Sequence, residues 1–341
     1  MRKKSKSIGD YRIATLGSHS ALQILKGAKD EGFKTIAICE EGKEKPYKSF
    51  NVADEIITLP KFERFFDIED LLVKKNAIII PHGTFVSTLD LKKIENLKVM
   101  HFGNKNILKW EFDREKSHEW LKMADLRLPR LFDDPRGIDR PVIVKFHGAR
   151  GGEGYFFSSN TKEFYERIKN RPNVPYIIQE YIIGVPLYFH YFYSPLNDEL
   201  ELMGFDKRYE SNVDSIGRIA AKDQILLNLH TSYTIVGNVP LTVRESLLPE
   251  IFTIGENVVK ISKKLESPGL FGPFCIEGII TPEQKIYVFE ISARIVAGTN
   301  PYVIGSSYSQ LRYNVPMSTG RRIALEIKNA IKSNKLDKVL G

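Results

Sequence analysis

Cysteine is scarce in this sequence: its 341 residues include only two, Cys39 and Cys275, and these form no Cys-x-x-Cys pair. So few thiols exclude a disulfide-rich secreted scaffold and favour a reducing compartment. Long apolar runs are also missing, since the Ile-rich segment 76–81 is far shorter than the roughly 20 residues that a membrane-spanning helix needs. The basic residues 1–7 are followed by no apolar segment, which argues against a secretory signal. We therefore expect a cytoplasmic protein.

Motifs of several enzyme classes are absent as well. The sequence contains neither a Gly-x-Ser-x-Gly nucleophile elbow nor a His-Glu-x-x-His zinc motif. His82, His101, His118 and His190 share no ligand spacing, so each is expected to be structural or exposed. Without an evident nucleophile, chemistry would depend on positioning and electrostatics, as in phosphoryl transfer.

The composition is that of an ordinary globular protein, with 42% hydrophobic and 27% charged residues. At roughly 150 residues per domain, the length predicts two or three domains. An excess of 50 basic over 42 acidic residues gives a net charge of +8, which suits nucleic acid, anionic small molecules such as nucleotides, or simply a solvated surface. Because the basic residues are not interleaved with aromatic ones in a single stripe, charge alone does not identify the partner.

The first hundred residues alternate short apolar runs with helix-like stretches, as β-α-β units do. Strands are expected at 12–16, 35–39, 77–80 and 99–102, and a helix at 20–31. This pattern predicts a small parallel sheet, whose ligands bind beyond the carboxyl ends of its strands.

The rest of the chain changes to an α+β pattern with aromatic-rich strands. The expected elements are a helix at 106–123, strands at 142–146, 155–158, 176–181, 188–193 and 200–205, a helix at 245–265, a hairpin of 273–280 and 286–291, and a last helix at 321–338. No internal repeat is visible.

Polar residues follow two strands of the predicted parallel sheet. The turn at 16–20 carries Ser18 and His19, and with its backbone amides it would suit a phosphate. The alternative is that a serine merely caps the next helix and that His19 is an exposed loop residue. Thr84, in the Pro-His-Gly-Thr turn at 81–84, follows another strand on the same edge and would supply a second contact.

Lys145 lies on a predicted strand and precedes four glycines within residues 148–154. The amides of such a loop can approach phosphates closely, and Lys145 would add a positive charge. A plain hairpin turn is the alternative. The strand at 177–182 follows, and its backbone would either pair with the edge of a base or simply belong to the core.

The C-terminal hairpin carries two carboxylates. A turn at 281–284 would place Glu277 opposite Val288 and make Glu290 a diagonal neighbour, roughly 7–8 Å away. Like charges so placed require a cation, and hard oxygen ligands suit Mg²⁺ or Mn²⁺ bridging polyphosphate oxygens. Arg294 would follow on the same face and clamp a phosphate. The alternative is an ordinary pair on a solvated face.

A strand lysine, a glycine-rich loop, a Gln-Glu-Tyr strand and a hairpin ending in Glu-x-Ser-x-Arg occur in this order, and the set resembles the ATP-grasp ligases. That superfamily usually has asparagine where this sequence has Ser292. Nearly the whole chain is also similar to the archaeal PurP family, the formate-dependent ligases of purine biosynthesis. The similarity is carried by residues 13–20, 145–152, 206–212, 221–224, 244–248, 272–275 and 292–300.

The resemblance implies a fold and a division of the chain. The fold would be an ATP-grasp fold (α/β plus α+β), preceded by a small Rossmann-like domain. The division would be 1–104 for the Rossmann-like domain, 105–190 for the lid with its glycine-rich loop, and 191–341 for the subdomain with the metal-binding hairpin.

The resemblance also implies site residues, with Lys145 and Arg294 as catalytic groups. ATP would be bound by Lys145, Gly148, Arg150, Gly151, Gly152, Gly154, Gln179, Glu180, Tyr181, Ile182 and Glu210. The nucleotide substrate would contact Ser18, His19, Thr84 and Asn238, and the metal, Mg²⁺ or Mn²⁺, would be held by Glu277 and Glu290.

The implied reaction joins formate to the amine of 5-aminoimidazole-4-carboxamide ribonucleotide (AICAR), with ATP and through formyl phosphate, in the synthesis of IMP. The resemblance further implies a homo-oligomer with small-molecule substrates and no nucleic-acid or membrane partner. Three alternatives are open: a paralogous ligase that uses another acid or amine, a nucleotide sensor without turnover, and a nucleic-acid binder.

Overall fold

The computed structural model describes residues 7–146, 155–169, 174–210, 212–227 and 235–341. Its first sheet consists of β1 (Arg12–Leu16), β2 (Lys34–Glu40), β3 (Glu55–Leu59), β4 (Ala77–Ile79) and β5 (Met100–His101). These strands pair in parallel, in the order β3-β2-β1-β4-β5. The predicted parallel sheet is confirmed, and β3 is a strand that the sequence pattern did not predict.

The strand order of this sheet reverses between β1 and β4. In open parallel sheets, the crevice outside the carboxyl ends of the strands at such a reversal is the usual ligand site. The connecting helices are α1 (Ala21–Asp30), α2 (Lys45–Ser49), α3 (Glu69–Lys74), α4 (Gly83–Thr88) and α5 (Leu91–Glu95). The turns after β1 and β4 therefore meet at one edge.

The single helix predicted at 106–123 is wrong, because the chain forms α6 (Leu108–Phe112) and α7 (Arg114–Met123). The break lies at Asp113, whose extended backbone lets its carboxylate accept hydrogen bonds from the N–H groups of Glu115 and Lys116. An aspartate at this position caps the second helix and thereby ends the first.

A four-stranded antiparallel sheet follows, with its own small core. Its strands are β6 (Leu131–Phe132), β7 (Val142–Phe146), β8 (Tyr155–Ser158) and β9 (Tyr176–Glu180), in the order β6-β9-β7-β8, with α8 (Thr161–Ile168) packed against it. Alternate residues of β7, Val142 and Val144, are buried against Phe164 of this helix. Lys145, which follows Val144, therefore points to the other face, as period-two alternation requires.

The third sheet is a five-stranded antiparallel sheet. It contains β10 (Val185–Ser194), β11 (Glu199–Glu210), β12 (Ile235–Leu241), β13 (Gly272–Ile280) and β14 (Ile286–Ser292), in the order β12-β11-β10-β13-β14. The remaining helices are α9 (Val213–Gly217), α10 (Ala221–Leu226), α11 (Leu248–Leu265), α12 (Ser307–Arg312) and α13 (Thr319–Lys332). The predicted hairpin of β13 and β14 is confirmed, whereas β12 was not predicted.

The two faces of the third sheet have different chemistry. One face packs Phe189, Phe205 and Ile276 into the main core, together with Ile251 and Val258 of α11. Residues one position along each strand point to the opposite face, which carries most of the polar groups described below.

Two helices hold the parallel sheet close to the third sheet. A Cβ on Gly27 of α1 would lie 2.2 Å from the backbone nitrogen of Arg321 in α13, and a Cβ on Gly320 would lie 2.3 Å from the carbonyl oxygen of Gln23. The Gln23 side chain accepts a hydrogen bond from the Gly320 N–H and donates one to Thr299. Only glycine permits this approach of the two backbones.

The predicted division at 104/105 and 190/191 stays a prediction, and β10 contains residues on both sides of its second boundary. The last α-helix ends at Lys332, earlier than predicted. Asn334 has a φ of 55°, a left-handed backbone conformation that is incompatible with a continuing right-handed helix. Within the described ranges, no helix has the length and apolarity to cross a membrane.

Candidate active site

The turns after β1 and β4 bring the predicted nucleotide contacts together. The Thr84 hydroxyl lies 3.1 Å from that of Ser18, and the imidazole of His19 stacks on that of His82 with ring centroids 5.5 Å apart. A Cβ on Gly83 would lie 2.5 Å from His19 Nε2, so glycine is needed for this contact. The Ser20 side chain makes no capping hydrogen bond to α1, and Ser18 bonds to Thr84 instead, so the interpretation as a simple helix cap is wrong.

His82 is buried and fixed on both ring nitrogens. Its Nε2 lies 2.9 Å from the Leu16 carbonyl oxygen, and its Nδ1 accepts a hydrogen bond of 3.2 Å from the Thr84 N–H. Burial lowers the pKa of His82 to about 4, so the ring is neutral and donates from Nε2. The prediction that His82 is structural is confirmed, and the fold places this histidine against His19.

His19 is exposed, as the alternative interpretation expected, but its environment is unusual. Desolvation by burial is the main cause that lowers its pKa, and the neighbouring imidazole of His82 and the guanidinium groups of Arg294 and Arg208 lower it further. Its backbone lies in the left-handed region, with a φ of 55°. A neutral imidazole at this position can still donate a hydrogen bond to a phosphate oxygen.

The predicted register of the hairpin is wrong because the hairpin contains a β-bulge. Gly278 pairs with Val288, but Glu277 pairs directly with Glu290, because the register shifts between Glu277 and Gly278. The extra residue, Phe289, makes the two carboxylates direct neighbours rather than diagonal ones. Glu277 is buried, so the interpretation of an ordinary solvated pair is wrong for it.

Opposing effects act on the ionisation of the Glu277 carboxyl group. Burial raises the pKa of its carboxyl group, and the nearby charge of Glu290 raises it further. The opposing influence is Arg208 on β11, whose Nη2 forms an ion pair with Glu277 and whose guanidinium lies 3.8 Å from the ring centroid of Tyr188. A carboxylate pair of this kind is stabilised by positive charge.

Arg294 lies just beyond the hairpin, because β14 ends at Ser292. Its guanidinium forms a 2.8 Å ion pair with Glu111 of α6. The other oxygen of this carboxylate accepts a hydrogen bond from the Ala293 N–H. Glu111 is therefore the residue that positions Arg294, and nothing in its local sequence signals this.

Lys145 and Gln179 meet on the face of the four-stranded sheet (β6-β9-β7-β8, here called the lid sheet) that is turned away from α8. There, Lys145 Nζ donates a 2.7 Å hydrogen bond to Gln179. Burial lowers the pKa of Lys145, while the charge of Glu290 raises it. Lys145 therefore lies within electrostatic range of Glu290 in the carboxylate hairpin.

The segment at 177–182, most of which forms β9, was predicted either to contact the base of ATP or to belong to the core. The Glu180 carboxylate bonds to Arg140, and the N–H groups of Glu180 and Tyr181 already donate to the Arg130 and Pro141 carbonyls. Ile182 is buried. A bound base would thus use other backbone groups of this segment.

The remaining predicted residues lie on β11 and β12. Glu210 is half-buried at the end of β11, and desolvation raises its pKa. Asn238 pairs with Arg208 across the two strands and donates a 2.7 Å hydrogen bond to Asp206. The other oxygen of Asp206 lies 2.7 Å from His190 Nε2, so a buried pair orients the Asn238 amide.

Some predicted residues lie outside the described residues. These are the glycine-loop positions Gly148, Arg150, Gly151, Gly152 and Gly154. Of the residues that are described, the cleft also contains groups that the sequence did not single out: Tyr188, Asp206, His190, Arg208 and Glu111.

Cys275 is the register partner of His190 on β10, an arrangement that suggests a nucleophile. Burial raises the pKa of this thiol well above its usual range. Reactive cysteines have the opposite property, a stabilised thiolate. Cys275 therefore fits a structural role.

Comparison with known proteins identifies relatives over the full length. A protein of Pyrococcus abyssi named 5-formaminoimidazole-4-carboxamide-1-(beta)-D-ribofuranosyl 5'-monophosphate synthetase is 54% identical over 338 residues, which cover 97% of this chain and 98% of the relative. The chain belongs to this synthetase family. A synthetase of the same name from Methanocaldococcus jannaschii is 45% identical over 97% of the chain and 95% of the relative.

Two family models and a solved structure also match this chain. The models described as "Protein of unknown function (DUF1246)" and "Domain of unknown function (DUF1297)" match residues 13–132 and 159–341. The crystal structure of the IMP biosynthesis protein PurP from Thermococcus kodakaraensis has a TM-score of 0.77 and 31% identity over 96% of this chain and all of that one.

A more distant structure shows the fold alone. N5-carboxyaminoimidazole synthetase from Staphylococcus aureus, solved with ADP, has a TM-score of 0.65 and 16% identity over 96% of this chain and 79% of that one. The chain has the ATP-grasp fold, preceded by a Rossmann-like domain, as the sequence predicted.

Proposed function

We propose that this protein is an ATP-dependent ligase that formylates AICAR with formate and releases ADP and phosphate. The observation that carries the proposal is the meeting of two sites in one cleft. The turn after β4 forms a β-bridge between His82 and Ile295, next to Arg294, and Arg208 pairs with Glu277 of the carboxylate hairpin. This arrangement supports a nucleotide site beside a metal-polyphosphate site.

The sheet edge suits the phosphate of a ribonucleotide. Ser18, Thr84 and His19 present hydroxyl and imidazole donors where the strand order of the parallel sheet reverses. Asn238 would hold another part of AICAR, because Asp206 fixes its amide. We therefore assign these four residues to the nucleotide substrate.

ATP would lie between the lid sheet and the third sheet. Lys145, whose pKa burial lowers and the charge of Glu290 raises, would hold phosphate oxygens, and we assign the glycines of 148–154 to the same phosphates. Gln179, the segment 180–182 and Glu210 would contact the rest of the nucleotide. Arg294, held by Glu111, would bind the transferred phosphate.

The carboxylate pair suits a divalent cation of the Mg²⁺ or Mn²⁺ class. Glu277 is buried with a raised pKa and already attracts a cationic partner, so the donor set fits. Within the described ranges, no group of three or more potential ligands forms a metal site, and oxygen atoms of the substrate would complete the shell. A bound ion would neutralise charge that develops on the phosphates.

The proposed reaction has two steps. A formate oxygen attacks the γ-phosphorus of ATP, the bond to the ADP oxygen breaks, and formyl phosphate and ADP result. The AICAR amine then attacks the formyl carbon, the bond to phosphate breaks, and the amine proton leaves with the phosphate. Holding the substrates together in one cleft would accelerate attack by a weak amine nucleophile. Exclusion of water from that cleft would protect the acyl phosphate from hydrolysis. No formyl-enzyme is formed.

Product identification tests the proposal. With ATP, Mg²⁺, AICAR and ¹³C-formate, we expect labelled formyl-AICAR by mass spectrometry. Turnover with a different acid would instead support a paralogous ligase, and nucleotide binding without any turnover would support a sensor. We also propose, as the family resemblance implies, a homo-oligomer in the cytoplasm.

A further inference from the structure

Arg208 has no task in the proposed reaction, yet it occupies the middle of the cleft. It is the direct cross-strand partner of Asn238 on β12 and the ion-pair partner of Glu277 on β13. Tyr188 of β10, the strand between β11 and β13, stacks against it, with the guanidinium 3.8 Å from the ring centroid. Arg208 therefore lies between the residue assigned to AICAR and the residue assigned to the metal.

These contacts hold the guanidinium of Arg208 in place but leave some of its N–H donors available. The ion pair with Glu277 involves Nη2, which leaves the Nε and Nη1 groups outside that pair. Stacking on tyrosine restrains the plane of the fork, so little side-chain entropy is lost when it binds another group. A planar fork of this kind matches a carboxylate.

The position of Arg208 follows from the order of the two steps. Formate must reach the γ-phosphate near the carboxylate hairpin, and its carbon must then be reached by the amine of the nucleotide on the other side. The small acid therefore has to lie between Glu277 and Asn238. Arg208 is the cationic side chain that links these two positions on the sheet.

We propose that Arg208 binds the small carboxylate substrate and then hydrogen-bonds its carbonyl oxygen during transfer to the amine. This inference rests on the proposed function. When the amine nitrogen adds to the formyl carbon, negative charge moves onto the carbonyl oxygen, and a fixed N–H donor stabilises it. The charge returns as the bond to phosphate breaks, and the proton of the amine leaves with the phosphate.

The test compares Arg208→Gln and Arg208→Lys with a matched control, Lys207→Gln, an exposed neighbour on the other face of β11. Since hydrogen bonds to charged groups contribute about 1.5–3 kcal/mol, we expect KM for formate to rise roughly 10- to 100-fold in Arg208→Gln. KM for ATP and the dissociation constant of AICAR, measured by calorimetry without formate, should change less than about threefold. Arg208→Lys should recover part of the loss, and Lys207→Gln should resemble the wild type.

A second readout does not depend on turnover. Line broadening of ¹³C-formate by the protein, in the presence of AICAR and a non-hydrolysable ATP analogue, should be seen with wild type and lost with Arg208→Gln. The inference would be overturned if the KM for formate and the line broadening of ¹³C-formate were unchanged in both Arg208 variants. It would also be overturned if the binding of formate, ATP and AICAR were weakened equally. A wild-type protein without formate-dependent turnover would instead overturn the proposed function and the inference with it.

Discussion

Glu290 is the exposed member of the carboxylate pair; it pairs with Glu277 and lies within electrostatic range of Lys145. Its removal should leave the nucleotide contacts of the sheet edge in place, because these belong to β1 and β4. We expect Glu290→Ala to reduce ligation by at least about 10²-fold, a loss typical of removing one electrostatic contact to the transition state. The dissociation constant of AICAR should remain within a factor of about two.

The matched control for this variant is Glu283→Ala, which removes an exposed carboxylate from the turn of the same hairpin. It should keep wild-type activity. Full activity in Glu290→Ala would show that the assignment of the metal ligands is wrong.

Individual residues show which positions a sequence can mark. His19, Thr84, Lys145, Glu277 and Glu290 were predicted to belong to the site because a strand end or a motif marks each of them. Glu111 was not, because its role depends on α6 lying against the end of β14, a contact between segments 182 residues apart. The prediction of His82 as structural is confirmed, although only the fold reveals that its ring stacks on that of His19.

At the scale of elements, α1 and α13 determine how close the parallel sheet lies to the third sheet. A Cβ on Gly27 would meet backbone atoms of α13 at 2.2 Å, so the helices would have to separate. Overpacking costs about 1–3 kcal/mol, more than the roughly 1 kcal/mol that alanine gains over glycine in a helix. We expect Gly27→Ala to lower the melting temperature and to reduce nucleotide affinity, because His19 follows β1 and precedes α1.

A helical glycine in open space provides the control for that variant. A Cβ on Gly217 of α9 has no atom within 4 Å, so Gly217→Ala should be neutral or slightly stabilising in thermal denaturation. If Gly27→Ala is as stable as Gly217→Ala, the close approach of α1 and α13 is not required.

Elements were predicted well where a local pattern determines them. The strands of the parallel sheet and the C-terminal hairpin follow from apolar runs bounded by turns. The break at Asp113 and the bulge after Glu277 were missed, because a capping aspartate inside a helix-like pattern and an extra residue in a strand change periodicity only slightly. The bulge matters most, since it turns a diagonal carboxylate pair into a direct one.

At the scale of the whole molecule, buried neutral histidines couple stability to pH. Burial lowers the pKa of both His82 and His101 from 6.5 to about 4. Between these values the unfolded chain binds protons that the folded chain cannot, so each imidazole makes the free energy of unfolding fall as pH falls from about 6.5 to about 4. His101 Nε2 has no hydrogen-bond partner among the described residues, so its protonation would bury an unpaired charge.

His101→Asn tests this coupling without touching the cleft. Its free energy of unfolding, measured by urea denaturation from pH 4 to 7, should depend less steeply on pH than that of the wild type. One proton corresponds to at most about 1.4 kcal/mol per pH unit. Parallel pH profiles for the two proteins would show that His101 titrates normally in the fold.

The central claim for the whole molecule is that one cleft activates formate and delivers it to a nucleotide amine. The most direct measurement is the initial rate of ADP release with ATP, Mg²⁺ and AICAR, with and without formate. The account predicts release that requires formate and that equals the amount of formyl-AICAR formed. Release that is independent of formate, or no release with all substrates present, would contradict it.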